Sequence, residues 1–179
     1  MDKYFTKEFM KPLFEILDKC EGVKQVEKYH PEGDVLTHTI QVFNKAFRET
    51  RDIDLLLACL LHDVGKQVDR LNHVKESLNL IDDIASCKTK WLVKNHMRIW
   101  TYINGEMRKL SRCVELAEHP WLPELLQLAR FDKIGRIKNY KPKYDKDVII
   151  DKLNKAYDEH WQGEEPVKRG ENDKTRNMQ

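Results

Sequence analysis

The sequence lacks long apolar runs, paired cysteines and a strong excess of charge. It has no stretch of about 18 apolar residues, so we expect no membrane-spanning helix, and its N-terminus shows no apolar core of a secretory signal. The cysteines are widely spaced without a Cys-x-x-Cys motif, which favours four reduced thiols and a cytoplasmic location. A net charge of +2 does not imply general affinity for nucleic acid.

The composition suits a soluble globular protein. Of 179 residues 40% are hydrophobic and 35% charged, enough for one domain with a core that needs no disulfides. Helical periodicity dominates and no strand signal is present. Helices are predicted over 5–17, 36–47, 51–64, 73–85, 88–97, 106–117, 123–136 and 147–161, with Asp34 as a helix N-cap and Gly65 at a helix end. The prediction is an all-α fold, with one compact helical domain over 1–162 and a disordered charged tail over 163–179.

The central segment points to a metal. Residues 55–61 are apolar all round, which predicts a buried helix, and the run ends abruptly in His62 and Asp63. A buried imidazole beside a carboxylate is unfavourable unless something pairs with both. A divalent metal does so, and these ligands suit Mn, Fe, Co, Ni or Zn. The alternative is a buried histidine bonded to a helix end beside a capping aspartate.

Further histidines and an aspartate fall on apolar helix faces. Asp132 lies one turn after Leu128, and His96 follows Leu92 at the same spacing. His38 lies beside the apolar stripe that its predicted helix carries at Leu36, Ile40, Phe43 and Phe47. His73 sits at a predicted helix start, where an exposed histidine would be ordinary. Each inward histidine alone is more often a satisfied core residue than a ligand, but several on separate helices favour a shared metal.

Two cations accompany these residues. Lys66 follows the His-Asp pair, and Arg136 lies one turn beyond Asp132. Each is predicted to neutralise a bound phosphate, although Lys66 also suits an ordinary helix C-terminus. His30, His119 and His160 have no such context and are interpreted as structural or surface residues.

Three segments carry a family resemblance. They are Tyr-His-Pro-Glu-Gly-Asp-Val-Leu-Thr-His-Thr at 29–39, Leu-Leu-His-Asp-Val-Gly-Lys at 60–66 and Ala-Arg-Phe-Asp-Lys-Ile-Gly-Arg at 129–136. Together they resemble the HD superfamily of metal-dependent phosphohydrolases, and within it the HD domain of bacterial CCA-adding tRNA nucleotidyltransferases. The chain has no nucleotidyltransferase domain ahead of His38, so the expectation is a stand-alone HD-type protein that does not add CCA.

The resemblance implies both a site and an activity. It implies that His38, His62, Asp63 and Asp132 hold a first divalent metal (Mn, Co, Ni, Fe, Mg or Zn), and that His73 and His96 serve a second metal or bind phosphate. Asp63 and Lys66 are the expected catalytic residues, with Lys66 and Arg136 binding substrate. The HD domains resembled act as 2′,3′-cyclic phosphodiesterases, phosphatases and nucleotidases, so a nucleotide or RNA-end phosphoester is the expected substrate.

Two alternatives stay open. One is a hydrolase of dNTPs or signalling nucleotides, in which Trp91, Trp100 or Tyr102 stacks on a base, although a core role suits these aromatics better. The other is a catalytically silent nucleic-acid-binding module. Its basic residues would be Arg98, Arg108, Lys109, Arg112, Lys138, Lys141 and Lys143, although an ordinary solvated surface also explains them. The sequence specifies no oligomeric state.

Overall fold

Helices account for most of the described chain. The computed structural model describes residues 3–160, which contain nine α-helices, no strand and one isolated bridge between Lys24 and Asp34. The helices are α1 (Lys7–Asp18), α2 (Val35–Phe47), α3 (Ile53–Leu61), α4 (His73–Ile81), α5 (Cys87–Asn95), α6 (Arg98–Ile103), α7 (Leu110–Ala117), α8 (Leu122–Ile134) and α9 (Lys146–His160). The predicted all-α fold in one domain is confirmed. The tail predicted at 163–179 lies outside the described residues.

The third helix forms the centre of the molecule. Every residue from Leu55 to Leu61 is buried, and α3 packs against α2, α5 and α8. Asp52 begins the helix by accepting a hydrogen bond from the Leu55 amide at 2.9 Å. This arrangement confirms the central buried helix and leaves its C-terminal end deep inside the fold.

Helix α2 lies beside α3 and begins at the predicted cap. Asp34 accepts hydrogen bonds from the amide of Thr37 at 3.0 Å and from its hydroxyl at 2.7 Å. Leu36, Ile40 and Phe43 are buried against the core, as their spacing predicts.

Helix boundaries differ from the predictions in several places. Helix α4 ends at Ile81 rather than residue 85, and α7 begins at Leu110 rather than residue 106. The six-residue helix α6 was not predicted. Such errors are expected at helix ends, because a single turn is marginal by itself and depends on tertiary packing.

The sequence predicts Gly65 at the end of a helix, and the structure shows that this prediction is wrong. The helix ends at Leu61, and Gly65 lies in a short 3₁₀ turn, Val64–Gln67. A Cβ on Gly65 would lie 2.1 Å from the carbonyl oxygen of His73, at the start of α4. The glycine is therefore required by the close approach of two backbones, not by a helix cap.

Two other expectations bear on the environment of the chain. Within residues 3–160, no helix has both the length and the apolar character needed to cross a membrane. All four cysteines are free thiols, and Cys20 and Cys59 are buried.

Candidate metal centre

The six predicted ligands converge from five helices. All are buried, none more than 9% exposed. Their positions are His38 near the start of α2, His62 and Asp63 directly after α3, His73 at the first residue of α4, His96 directly after α5, and Asp132 in the last turn of α8. The backbone of Asp63 has φ −109° and ψ 1°, outside the helical region. This departure lets two sequence neighbours direct their side chains into one site.

Three of these residues form a first cluster. The Nε2 atoms of His38 and His62 are 3.3 Å apart. The Oδ1 of Asp132 lies 3.1 Å from Nε2 of His38. Nitrogen and oxygen atoms thus face a common point between α2, α3 and α8.

A second cluster lies on the other side of Asp63. The Nε2 atoms of His73 and His96 are 3.3 Å apart, and each is 3.6 Å from Oδ1 of Asp63. The other oxygen of Asp63, Oδ2, is 3.6 Å from Nε2 of His62 and 3.8 Å from Nε2 of His38. The carboxylate of Asp63 therefore lies between the two histidine pairs and faces both.

The facing nitrogens fit a bound cation. The Nδ1 atoms of His62, His73 and His96 contact the carbonyl oxygens of Cys59, Arg70 and Val93 at 3.2, 3.0 and 2.7 Å. A carbonyl only accepts, so each Nδ1 carries a hydrogen, and the Nε2 atom of such a ring can offer a lone pair to a metal. In the pair formed by His73 and His96, the two Nε2 atoms face each other at 3.3 Å, and two lone pairs at this distance repel unless a metal ion or a proton lies between them.

The spacing and charge of the donors agree with this interpretation. Two nitrogens bound to one tetrahedral ion at about 2.0–2.1 Å lie roughly 3.3 Å apart. Burial lowers the pKa of His62 to about 3, against the raising effect of Asp63 and Asp132, so this ring is neutral and available to a metal. Burial likewise lowers the pKa of His73.

Both aspartates are ionised. Burial alone would raise the pKa of Asp63, but the neighbouring histidines and Lys66 outweigh burial and hold it well below the usual range. Burial is similarly outweighed at Asp132, where the hydrogen bond with His38 and the nearby charge of Arg136 lower the carboxyl pKa. Two buried anions beside four imidazoles form a donor set suited to a divalent transition metal.

Each aspartate also contacts one of the two predicted cations. Lys66 donates to Oδ2 of Asp63 and to Oε1 of Gln25, both at 2.6 Å. The guanidinium of Arg136 donates to Oδ1 and Oδ2 of Asp132 at 2.9 and 2.8 Å. The structure thus places both cations against carboxylates of the cluster.

The sequence interpretation missed two members of the site. Glu32 is fully buried, and its Oε1 lies 2.6 Å from Nδ1 of His38 and 3.0 Å from Nδ1 of His30. Burial raises the carboxyl pKa of Glu32, but its contacts with the two imidazoles outweigh burial and lower it to about 2. His30 was interpreted as structural or on the surface, yet it lies between this carboxylate and Lys66. The segment 30–34 is a turn, where helical periodicity carries no signal.

A cavity of about 900 Å³ opens onto the cluster. Its wall includes Asp63, His73, His96 and Asp132, the half-buried ring of Trp100, and five cations: Lys24, Lys66, Arg70, Lys133 and Arg136. Trp91 and Tyr102 are not part of this wall; Trp91 stacks on His119 instead, with ring centroids 3.7 Å apart. None of the seven basic residues that the sequence suggested for RNA contact lines the cavity.

Part of the chain is similar to known proteins. The HD domain profile matches residues 35–137. The multifunctional CCA protein of Thioalkalivibrio sulfidiphilus is 43% identical over 54 residues, 30% of this chain and 13% of the relative. That of Pseudomonas fluorescens is 40% identical over 65 residues, 35% of this chain and 16% of the relative. The match in Methylococcus capsulatus is 40% over 57 residues, 32% and 13% of the two chains. The chain therefore spans only a small part of the length of these relatives.

Proposed function

The chain belongs to the HD domain family, part of a superfamily of metal-dependent phosphohydrolases, and from this we propose that it hydrolyses a phosphoester on a nucleotide or an RNA end. The activity would be that of a 2′,3′-cyclic phosphodiesterase, phosphatase or nucleotidase. The observation that carries the proposal is the convergence of four buried histidines and two ionised aspartates beneath a cavity lined by cations. The similarity to multifunctional CCA proteins supports nucleotide chemistry.

His38, His62, Asp63 and Asp132 would hold a first divalent metal. His73 and His96 would bind a second metal together with Asp63, or else contact phosphate. Asp63 supports the arrangement with two ions because its two oxygens face different histidine pairs. Four imidazoles favour Mn, Fe, Co, Ni or Zn over Mg, which prefers oxygen ligands.

The residues around the cluster would perform the remaining steps. When bound, a divalent cation lowers the pKa of water and offsets phosphoryl charge. Lys66 and Arg136 would bind the phosphoryl oxygens, since each carries its positive charge at the edge of the cluster. Asp63 would orient the attacking water. The water oxygen forms a bond to phosphorus, one ester P–O bond breaks, and the proton released from water neutralises the leaving oxygen.

A substrate and metal panel tests the proposal. Metal-stripped protein is incubated with bis-p-nitrophenyl phosphate, 2′,3′-cyclic AMP, 2′-AMP and dATP, and Mn, Co, Ni, Mg or Zn is added in turn. We expect metal-dependent turnover that is lost in Asp63→Ala. The matched control is Asp158→Ala, which removes an exposed carboxylate on α9. Circular dichroism checks that both variants are folded.

The outcomes separate the competing interpretations. Turnover of the cyclic or 2′-phosphate compound supports the proposed activity, whereas turnover of dATP alone replaces it with a triphosphate hydrolase. An active Asp63→Ala variant overturns the site assignment. A folded wild-type protein that turns over none of the compounds with any metal overturns the proposed activity.

A further inference from the structure

The cavity concentrates positive charge. Five cationic side chains line it against two carboxylates, Asp63 and Asp132, in a chain whose net charge is only +2. Both carboxylates belong to the candidate metal centre, so a bound divalent ion offsets them. A concave surface of one sign focuses the electrostatic field and attracts counter-ions of opposite charge. The cavity is thus suited to a ligand with more than one negative group.

The five cations fall into two groups. Lys66 and Arg136 each contact a carboxylate of the cluster. Lys24, Arg70 and Lys133, here called the rim cations, are exposed and form no ion pair with any carboxylate in the described part of the chain, residues 3–160. The inner pair therefore has anionic partners within the protein, and the rim cations have none among residues 3–160.

Two of the rim residues are joined by a hydrogen bond from a side chain to the backbone. The guanidinium of Arg70 donates a hydrogen bond to the backbone carbonyl of Lys24. This contact holds the Arg70 guanidinium against the loop that carries Lys24, and neither side chain forms an ion pair with a carboxylate of residues 3–160. This position is linked to the cluster because Lys24 precedes Gln25, whose side-chain oxygen accepts a hydrogen bond from Lys66 at 2.6 Å. An anion at the rim would thus lie beside the phosphate expected at Lys66.

Resting on the proposed phosphohydrolase function, we propose that Lys24, Arg70 and Lys133 form a second phosphate subsite. The preferred substrate then carries a second phosphate group in addition to the one that is hydrolysed. This chemistry is shared by the end of a nucleic-acid strand, where the next phosphodiester supplies the group, and by a nucleotide with phosphates at two positions. Guanidinium and ammonium groups bind phosphodiesters and terminal phosphates alike through charge-assisted hydrogen bonds.

Three compounds with the same reacting group test the subsite. They are adenosine 2′,3′-cyclic phosphate, its 5′-phosphorylated form, and the dinucleotide ApA ending in a 2′,3′-cyclic phosphate. Dissociation constants are measured by isothermal titration calorimetry on Asp63→Ala protein, which keeps the ligands intact. We expect at least one compound with two phosphates to bind about tenfold more tightly than the mononucleotide, as hydrogen bonds to charged groups commonly provide.

The variants assign that gain to the rim. The double variant Lys24→Ala/Arg70→Ala should lose the tenfold advantage and keep the affinity for adenosine 2′,3′-cyclic phosphate. Lys133 is left in place because it adjoins Asp132. Lys109→Ala is the matched control, since it removes an exposed cation that does not line the cavity, and it should bind all three compounds as the parent does.

The results also identify the source of the second phosphate. Tighter binding of the dinucleotide points to a strand end, and tighter binding of the 5′-phosphorylated nucleotide points to a bisphosphate; either supports the subsite. Equal affinity for all three compounds overturns it, as does an advantage that persists in the double variant. Because binding is measured without turnover, loss of the proposed hydrolytic activity would be seen separately in the wild-type assays.

Discussion

At the scale of single residues, His38 differs from the other three histidines of the cluster. Their Nδ1 atoms contact backbone carbonyls three residues earlier in the chain. The Nδ1 of His38 instead faces the buried carboxylate of Glu32 at 2.6 Å. Burial lowers the pKa of His38, but contacts with Asp132 and Glu32 outweigh it and raise the pKa to about 9. A carboxylate on the far nitrogen makes an imidazole a stronger metal ligand.

We expect Glu32→Gln to weaken metal binding. The amide keeps the size of the side chain and removes its charge, so His38 loses basicity while the fold is retained. Loss of such a partner typically lowers metal affinity about 10–100-fold. Isothermal titration calorimetry with Mn²⁺ or Zn²⁺ measures the change. Glu27→Gln, an exposed glutamate in the same loop, is the control, and an unchanged affinity in Glu32→Gln would show that Glu32 does not support the metal.

We expect Trp100→Leu to weaken recognition of the base. Trp100 is the only tryptophan on the cavity wall within the described residues, and stacking of an aromatic ring on a base contributes about 1–3 kcal/mol. The KM for 2′-AMP should therefore rise about tenfold or more, while kcat/KM for glycerol 2-phosphate, which has no base, stays the same. Trp91→Phe, outside the cavity, is the control. A parallel loss on both substrates would indicate general damage to the site.

At the scale of elements, the site depends on how α3 ends. Continuous helix through residue 63 would direct His62 and Asp63 about 100° apart. The chain instead leaves the helix after Leu61 and enters the 3₁₀ turn. Ser77 of α4 holds this turn by accepting a hydrogen bond from the amide of Gly65 at 2.8 Å and donating one to the carbonyl of His62 at 3.2 Å. Helix α4, which begins with His73, is thereby fixed against the residues that follow α3.

Gly65→Ala tests this junction. The added Cβ would meet the His73 carbonyl oxygen at 2.1 Å and the Ser77 amide nitrogen at 2.4 Å, both backbone atoms, so the turn or α4 must shift. We expect the free energy of unfolding of metal-free protein to fall by about 1–3 kcal/mol, as for overpacked interiors. Urea denaturation measures it. We also expect weaker metal binding because His73 moves with α4. An unfolding curve that overlays the wild type would contradict the close contact.

At the scale of the whole molecule, helical periodicity in the sequence was sufficient to predict which polar side chains on apolar helix faces point into the core. Asp132 and His96 could be predicted to point inward because each follows leucines at one-turn spacing, and α8 and α5 place them as expected. Glu32, His30 and Arg70 lie outside helices, where the direction of a side chain depends on tertiary contacts. The cavity is lined by Lys66 and Arg136, which the sequence suggested beside the ligands, but by none of the seven basic residues suggested for RNA contact.

The wide origin of the six candidate ligands leads to a prediction for the stability of the whole chain. They extend from residue 38 to residue 132 and belong to five helices or their ends, so a bound metal would cross-link most of the fold. A ligand present at 100 times its Kd stabilises the folded state by about 2.7 kcal/mol. At about 2–4 °C per kcal/mol for chains of 150–250 residues, the Tm should rise by roughly 5–10 °C with Mn²⁺ and return to its starting value with EDTA. Differential scanning calorimetry measures the shift.

Two controls test whether the shift comes from the cluster. Ca²⁺, which prefers oxygen ligands, should have little effect. Asp63→Ala should respond weakly to Mn²⁺ because it lacks the carboxylate between the histidine pairs. An identical Tm with and without Mn²⁺ would mean that the cluster is held by its own hydrogen bonds rather than by an ion.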